Sequence, residues 1–300
     1  MENFNVGQQE LKVCGITLDE YKSRIELLNK FVQSSVIKKN IESFGATSNI
    51  NRICGLSVLL EKLQNVYNSK KVFSQIKDLW DSDDALFELI TGGFMLAIGE
   101  NPLFQVVIKT PKDVMIRDKK INIECKNFQE GEKMISAIKG FTGQLNRNEQ
   151  MSNVTYSKET LPQDFKLRRK IGATSVPRHL GSFFEVNRYE QFIQNGIEGK
   201  NRQLLPNICN IISLNTTRVV DNIQVATEAT AKFLQNNQYE KISGILLFHS
   251  MPSRSEWDKI LGFVYKVRLV LNEQAKIKIP QDLVSKIKGE TFTVSLRNIK

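Results

Sequence analysis

The chain has 300 residues, of which 41% are hydrophobic and 25% are charged. These fractions are typical of globular proteins and exclude a mostly disordered chain. No apolar run approaches the ~18 residues of a membrane-spanning helix, and the N-terminus lacks the basic and apolar regions of a secretory signal. The sequence therefore predicts a cytoplasmic protein.

Net charge indicates a class of partner. Lys and Arg together number 42, whereas Asp and Glu number 32, which gives a formal net charge of +10. A surplus of this size favours polyanions, with nucleic acid first and an anionic membrane surface second. A basic surface without a dedicated partner is the alternative.

The first 80 residues are predicted to be helical. Thr17 begins a capping box that Glu20 completes, and apolar residues then recur at helical spacing. Gly45 and residues 48–49 predict a break between helices. Because this stretch contains no catalytic cluster, it is assigned as an N-terminal helical region over residues 1–80.

From residue 81 onward, helices alternate with short apolar strands, which predicts an α/β domain with a mixed sheet over residues 81–300. The predicted strands cover residues 104–108, 114–116, 121–123, 208–214, 242–248 and 264–271. The predicted helices cover residues 85–98, 134–145 and 225–234. Residues 146–178 are polar and are predicted to form a long loop.

The cysteines do not predict a metal site or a disulfide framework. No CxxC pair occurs and the chain has only two histidines, so the grouped ligands of a zinc site are missing. Disulfides are not expected without an export signal. The predicted small core residues are Cys14, Cys54, Cys125 and Cys209.

The second and third predicted strands form a hairpin with a defined register. A turn over residues 117–120 sets which residues oppose each other, and side chains then alternate between the two faces. The opposed pairs are Ile116 with Ile121, Val114 with Ile123, and Asp113 with Glu124. One face is apolar and ends at Cys125, whereas the other face carries Asp113, Glu124 and Lys126.

This hairpin predicts a cation site. Two opposed carboxylates repel each other by up to roughly 1 kcal/mol, and a divalent cation would reverse that sign. Mg2+ prefers carboxylate and carbonyl oxygens, so Asp113 and Glu124 are candidate ligands, with the Cys125 carbonyl as a further ligand. Lys126 could orient a water at the metal or stabilise charge on a phosphate. The alternative is a solvated hairpin face with ordinary charges.

These residues resemble the PD-(D/E)xK nuclease superfamily. The resemblance rests on Pro111-Lys112-Asp113, on the spacing to Glu124-Cys125-Lys126, and on the order of elements over residues 85–215. Lys112 separates the proline from the aspartate, which departs from the family pattern without replacing the metal ligand. Other [DE]xK tripeptides occur, such as Glu198-Gly199-Lys200, but they lie outside strand-like runs. The resemblance implies a restriction-endonuclease-like sandwich, a mixed central sheet flanked by helices.

The resemblance also implies an acid on the helix before the sheet and a glutamine on the helix after it. Glu88 and Gln144 stand at these places, and Glu88 is then a further catalytic residue and metal ligand. The alternative for Glu88 is the solvated stripe of an amphipathic helix that also holds Asp81, Asp84 and Thr91. The alternative for Gln144 is an ordinary solvated position.

The densest basic cluster lies in the predicted loop and could grip a DNA backbone. Its members are Lys166, Arg168, Arg169 and Lys170. An exposed basic loop with no assigned partner is the alternative.

Together with the resemblance, these features predict a Mg2+-dependent endonuclease that hydrolyses phosphodiester bonds in duplex DNA, of the restriction or defence type, with no membrane partner. The implied mechanism is metal-assisted attack of water on phosphorus, in which Lys126 positions the nucleophile. A homodimer is expected if both strands are cut. The alternative is a noncatalytic nucleic-acid-binding or assembly subunit that retains a nuclease scaffold.

Overall fold

The computed structural model describes residues 8–43, 46–79, 83–108, 110–127, 194, 197, 200, 203–217, 223–236, 239–250, 261–287, 289 and 291–296. The helices with described bounds are α1 (Gln8–Cys14), α2 (Leu18–Asn29), α3 (Ser34–Ser43), α4 (Ala46–Leu63), α5 (Ser69–Ser74), α6 (Asp84–Ala97), α7 (Ile223–Asn236) and α8 (Gln281–Ile287). The strands are β1 (Pro102–Ile108), β2 (Thr110–Ile116), β3 (Ile121–Lys126), β4 (Cys209–Asn215), β5 (Gly244–Ser250), β6 (Gly262–Leu271) and β7 (Thr291–Ser295).

The seven strands form one mixed sheet in the order β1-β2-β3-β4-β5-β6-β7. The pairs at both ends of the sheet are antiparallel, whereas β3, β4 and β5 run parallel to one another. Parallel neighbours need a crossover connection, and α7 lies in the connection between β4 and β5. The chain therefore has the α/β class and the mixed sheet that the sequence predicts.

Helices cover both faces of the sheet. In the central strands, successive side chains point to opposite faces, and those on both faces are largely apolar. In β4, Ile211 belongs to the large buried cluster that includes α6 and the N-terminal helices, whereas Ile212 and Leu214 belong to a second cluster with α7. The hydroxyl groups of Thr91 in α6 and Ser213 in β4 lie 3.1 Å apart, which places Ser213 on the α6 face. A near-continuous apolar run is typical of a parallel strand buried on both faces.

The predicted N-terminal helices are present, with two differences, one of which is that α5 ends at Ser74, so residues 75–79 are not helical, contrary to the prediction. Thr17 caps α2, since its Oγ1 accepts a hydrogen bond from the Glu20 N–H at 3.2 Å. Residues 48–49 lie inside α4 instead of in a break, because α4 begins at Ala46 and runs to Leu63. Asn49 is accommodated there because its buried side chain donates a hydrogen bond from Nδ2 to the Ile41 carbonyl at 3.3 Å. The division at residue 80 stays a prediction, although α4 contributes to the same buried cluster as the strands.

The four cysteines are free and buried, which confirms their prediction as small core residues. No helix within the described part of the chain is both long enough and apolar enough to cross a membrane. The cytoplasmic location and the homodimer stay predictions.

Candidate functional site

The β2–β3 hairpin has the predicted register. Ile116 pairs with Ile121 and Val114 pairs with Ile123. All four side chains are buried in the large cluster, as the alternation requires. Glu124 is also completely buried, with 0% of its surface exposed, so its environment is not that of a solvated hairpin face. A buried carboxylate must be compensated by nearby cations or hydrogen-bond donors.

Asp113 lies just beyond the last described pair of this ladder. Its Oδ2 accepts a hydrogen bond from the backbone N–H of Cys125 at 2.7 Å. The carboxylate thus accepts a hydrogen bond from a strand N–H that would otherwise donate to a carbonyl of the neighbouring strand. This bond fixes the Asp113 carboxylate against the chain segment that carries Glu124.

One ammonium group contacts both carboxylates. Lys200 Nζ lies 2.7 Å from Asp113 Oδ2 and 3.5 Å from Glu124 Oε2. Its side chain is 15% exposed, so the contacts are largely shielded from water. The structure therefore brings Asp113 and Glu124 together, as predicted, but places Lys200 between them. Lys200 stands 87 positions from Asp113 in the chain and was not assigned to the site from the sequence.

Lys112 is a second cation at Glu124. Its Nζ lies 3.5 Å from Glu124 Oε1 and donates a hydrogen bond to the Gln203 carbonyl. With 1% of its surface exposed, Lys112 is among the largest fully buried side chains. The residue that interrupts the proline–aspartate pattern is therefore a counter-ion of the site, a role that the sequence did not indicate.

The segment that supplies Lys200 and Gln203 is held by backbone bonds and by one buried asparagine. The Gln203 N–H donates to the Lys200 carbonyl at 2.8 Å. Asn210, at the start of β4, accepts from the Leu205 N–H and donates to the Leu205 carbonyl. Its Oδ1 also accepts from Asn122 of β3 at 3.1 Å. Asn210 thereby links the chain at Leu205 to β3, the strand that carries Glu124.

The start of α6 lies against the end of β3. Asp83 caps α6 by accepting from the Leu86 N–H at 2.9 Å, and its carbonyl accepts from Asn127, the residue after β3. Burial raises the pKa of Asp84, and the nearby Lys126 ammonium partly opposes that shift. Lys126 is thus close to the N-terminal turn of α6. Its predicted role in positioning a nucleophile stays a prediction.

Glu88, one turn further along α6, is part of the same electrostatic cluster. Burial and the Asp113 carboxylate raise the pKa of Glu88 to about 8, although Lys200 and a hydrogen bond from the Gln105 side chain oppose the shift. Its Oε2 is buried and accepts no hydrogen bond from the described residues. The raised pKa favours the protonated form of Glu88, and its side chain is half-buried, whereas a fully solvated stripe would leave it exposed.

Ionisation of the other groups follows from the balance of burial and charge. Burial and then Asp113 raise the pKa of Glu124, against the opposing effect of Lys200 and Lys112. Burial would lower the pKa of Lys200, but Asp113 and Glu124 outweigh burial and raise it. At this site the Lys200 ammonium is therefore favoured in its charged form, whereas the ionised form of Glu124 is disfavoured.

Glu88→Gln should change how stability depends on pH. Between the usual pKa of 4.5 and about 8, folded Glu88 binds more protons than unfolded Glu88, so its effect on stability becomes less favourable as pH rises. The variant lacks this loss, so its stability relative to wild type should rise from about pH 6 to about pH 8, by up to about 1.4 kcal/mol per pH unit. Urea unfolding over this range measures the difference.

Glu100→Gln is the matched control for that experiment. Burial would raise the pKa of Glu100, but hydrogen bonds from Lys119 and Lys286 outweigh burial and lower it. Folded and unfolded Glu100 are therefore both ionised in this pH range, and the difference from wild type should stay constant. A parallel pH response in both variants would contradict the assignment of a protonated Glu88.

The donor set fits a magnesium ion with few protein ligands. In the part of the chain that the structure describes, no group of three or more His, Cys, Asp or Glu side chains is arranged to hold a metal. Mg2+ is commonly held by one or two carboxylates together with waters and substrate phosphates. Asp113 and Glu124 supply two such carboxylates, and the buried Glu124 Oε1 accepts no hydrogen bond from the described residues, although Lys112 Nζ lies 3.5 Å away.

Several predicted site residues lie outside the described residues. They are Gln144, Lys166, Arg168, Arg169 and Lys170. Cys125 is described and buried; burial raises the pKa of its thiol, so the side chain is a neutral core group. The role of its carbonyl as a metal ligand stays a prediction.

Comparison with known proteins adds no relatives. No family model, no curated protein and no solved structure matches the chain. The resemblance to PD-(D/E)xK nucleases therefore rests on the residues and the hairpin register described above.

Proposed function

We propose that this chain is a Mg2+-dependent endonuclease that hydrolyses phosphodiester bonds of duplex DNA, with a restriction-endonuclease-like sandwich as its fold. The observation that carries the proposal is the pair of carboxylates, Asp113 and Glu124, gathered from adjacent strands around the half-buried ammonium of Lys200. Such acids are costly to keep together in a core, and structural stability alone does not require them. The chain's net charge of +10 agrees with a polyanionic substrate.

In the proposed mechanism, Asp113 and Glu124 hold the metal, with the Cys125 carbonyl as a further ligand. When bound, Mg2+ supplies polarisation of the phosphate and a lower pKa for water. Lys126 and Lys200 offset negative charge that develops on the phosphate. The role of Glu88 as a further catalytic residue and metal ligand stays a prediction, and its raised pKa means that the carboxyl group would have to lose a proton to bind a cation.

Digestion of genomic DNA tests the proposal. Purified protein is incubated with methylated and with unmethylated genomic DNA, in Mg2+ and in a chelator. We expect cleavage with Mg2+ and none with the chelator, and discrete bands would indicate sequence specificity. An intact substrate under varied divalent metals, together with retained DNA binding, would contradict the endonuclease and support the alternative below.

The alternative is a noncatalytic nucleic-acid-binding or assembly subunit that retains a nuclease scaffold. One observation favours it: Lys200 and Lys112 already neutralise the acids, so the site is compensated by the chain itself. The digestion above distinguishes the two functions, because only the endonuclease loses intact substrate.

A further inference from the structure

Two lysines neutralise the acids of the site, but they differ in how firmly they are held. Lys112 is 1% exposed and is bound to the Gln203 carbonyl as well as lying 3.5 Å from Glu124. Lys200 is 15% exposed, and its described ammonium contacts are the acids themselves. A flexible four-carbon side chain at the edge of the site can move toward water, whereas a fully buried one cannot do so without disturbing the core.

The ammonium of Lys200 stands where an ion held by both carboxylates would lie. It contacts Asp113 Oδ2 at 2.7 Å and Glu124 Oε2 at 3.5 Å. Mg2+ requires oxygen ligands at about 2.0–2.1 Å, so an ion shared by these two oxygens would occupy the same space. An ammonium and a divalent cation in contact would also repel each other strongly in a buried site.

We propose that Lys200 is a displaceable internal counter-ion, and that a divalent cation binds Asp113 and Glu124 only by expelling the Lys200 ammonium from between them. This inference rests on the proposed function, since it assumes that the two acids bind a metal. Lys112 remains at Glu124 in both states. The ammonium of Lys200, once released at the edge of the site, is free to meet an anionic phosphate.

Titration of the protein with Mn2+ alone, in the absence of DNA, tests this competition. Lys200→Met removes the charge at nearly constant volume, so Mn2+ should bind about tenfold more tightly or better, which is about 1.4 kcal/mol or more. Lys200→Arg keeps a charge in place and should bind Mn2+ no more tightly than wild type. Lys286→Met is the matched control: Lys286 Nζ lies 2.6 Å from Glu100, another buried acid, and its Mn2+ affinity should equal that of wild type.

The thermal midpoint of unfolding shows whether Lys200→Met is folded. This must be measured because two acids lose a counter-ion in that variant. Mn2+ should raise its midpoint by more than that of wild type, and Lys200→Gln should behave in the same way. Unchanged or weaker Mn2+ binding by folded Lys200→Met would overturn the inference. If wild type still binds Mn2+ and loses that binding when Asp113 is substituted, the proposed function is not contradicted. Absence of Mn2+ binding in wild type and in all variants would overturn both.

Discussion

Glu124→Gln should abolish Mg2+-dependent DNA cleavage while the protein stays folded. The substitution keeps the shape of the side chain and removes the negative charge that the proposed metal requires. We expect the rate of plasmid nicking to fall by at least about 10²-fold. Some stability should be lost, because Lys112 and Lys200 both lose a charged partner, so the cleavage rate is compared per folded molecule. Nicking of supercoiled plasmid and urea unfolding measure the two effects.

Glu100→Gln serves as the control because Glu100 is also a buried acid between two lysines. Its Oε1 lies 2.8 Å from Lys119 Nζ and 2.6 Å from Lys286 Nζ. This variant should lose some stability and retain the cleavage rate per folded molecule. Cleavage that survives Glu124→Gln, or that falls equally in both variants, would mean that the catalytic centre lies elsewhere in the chain.

Phe248→Ala should cause the largest loss of stability. Phe248 in β5 is completely buried, and its ring meets the rings of Phe87 and Phe94 edge-on at centroid distances of 5.6 and 5.5 Å. Removing a buried aromatic ring leaves a cavity and costs about 3–5 kcal/mol. Because Phe87 directly precedes Glu88 in α6, we also expect the metal-dependent activity to decline. Urea unfolding gives the free energy of unfolding.

Val107→Ala provides the comparison for this effect. Val107 in β1 is 71% exposed, and substitutions at such positions change stability by no more than about 0.5 kcal/mol. A loss below about 1 kcal/mol for Phe248→Ala would show that the packing of α6 on the sheet does not depend on this ring.

The hairpin could be predicted from the sequence because its register is specified twice. The apolar residues Val114, Ile116, Ile121 and Ile123 must share one buried face, and a one-residue slip would expose all of them. The turn over residues 117–120 fixes the same pairing. The proximity of Asp113 and Glu124 follows from this register, and so was predictable without coordinates.

The cations of the site could not be predicted in this way. Lys200 is 87 residues from Asp113 in the sequence. The periodicity of helices and strands indicates only which nearby residues share a face, so it does not predict this contact. The tripeptide that ends at Lys200 differs little from the other [DE]xK tripeptides in the sequence. Lys112 was visible only as a departure from a motif, because its burial depends on the Gln203 carbonyl supplied by a remote segment.

The last strand, β7, was not among the predicted strands, although its sequence has the pattern of a strand. In β7, Phe292 and Val294 alternate with polar residues, which is typical of a strand with one buried face. Gly262 in β6 supports the pairing, since a Cβ atom there would come within 1.8 Å of the Val294 carbonyl oxygen. A glycine at the start of an apolar run thus marks a close backbone approach.

The most direct test of the central claim is the position of a bound metal. Crystals grown with Mn2+ and measured at the manganese absorption edge would locate the ion by its anomalous signal. We expect a peak within coordinating distance of an Asp113 oxygen and a Glu124 oxygen, at about 2.1–2.2 Å, with the Lys200 ammonium moved away. A peak at other residues, or Lys200 still bridging both acids at saturating Mn2+, would contradict this account.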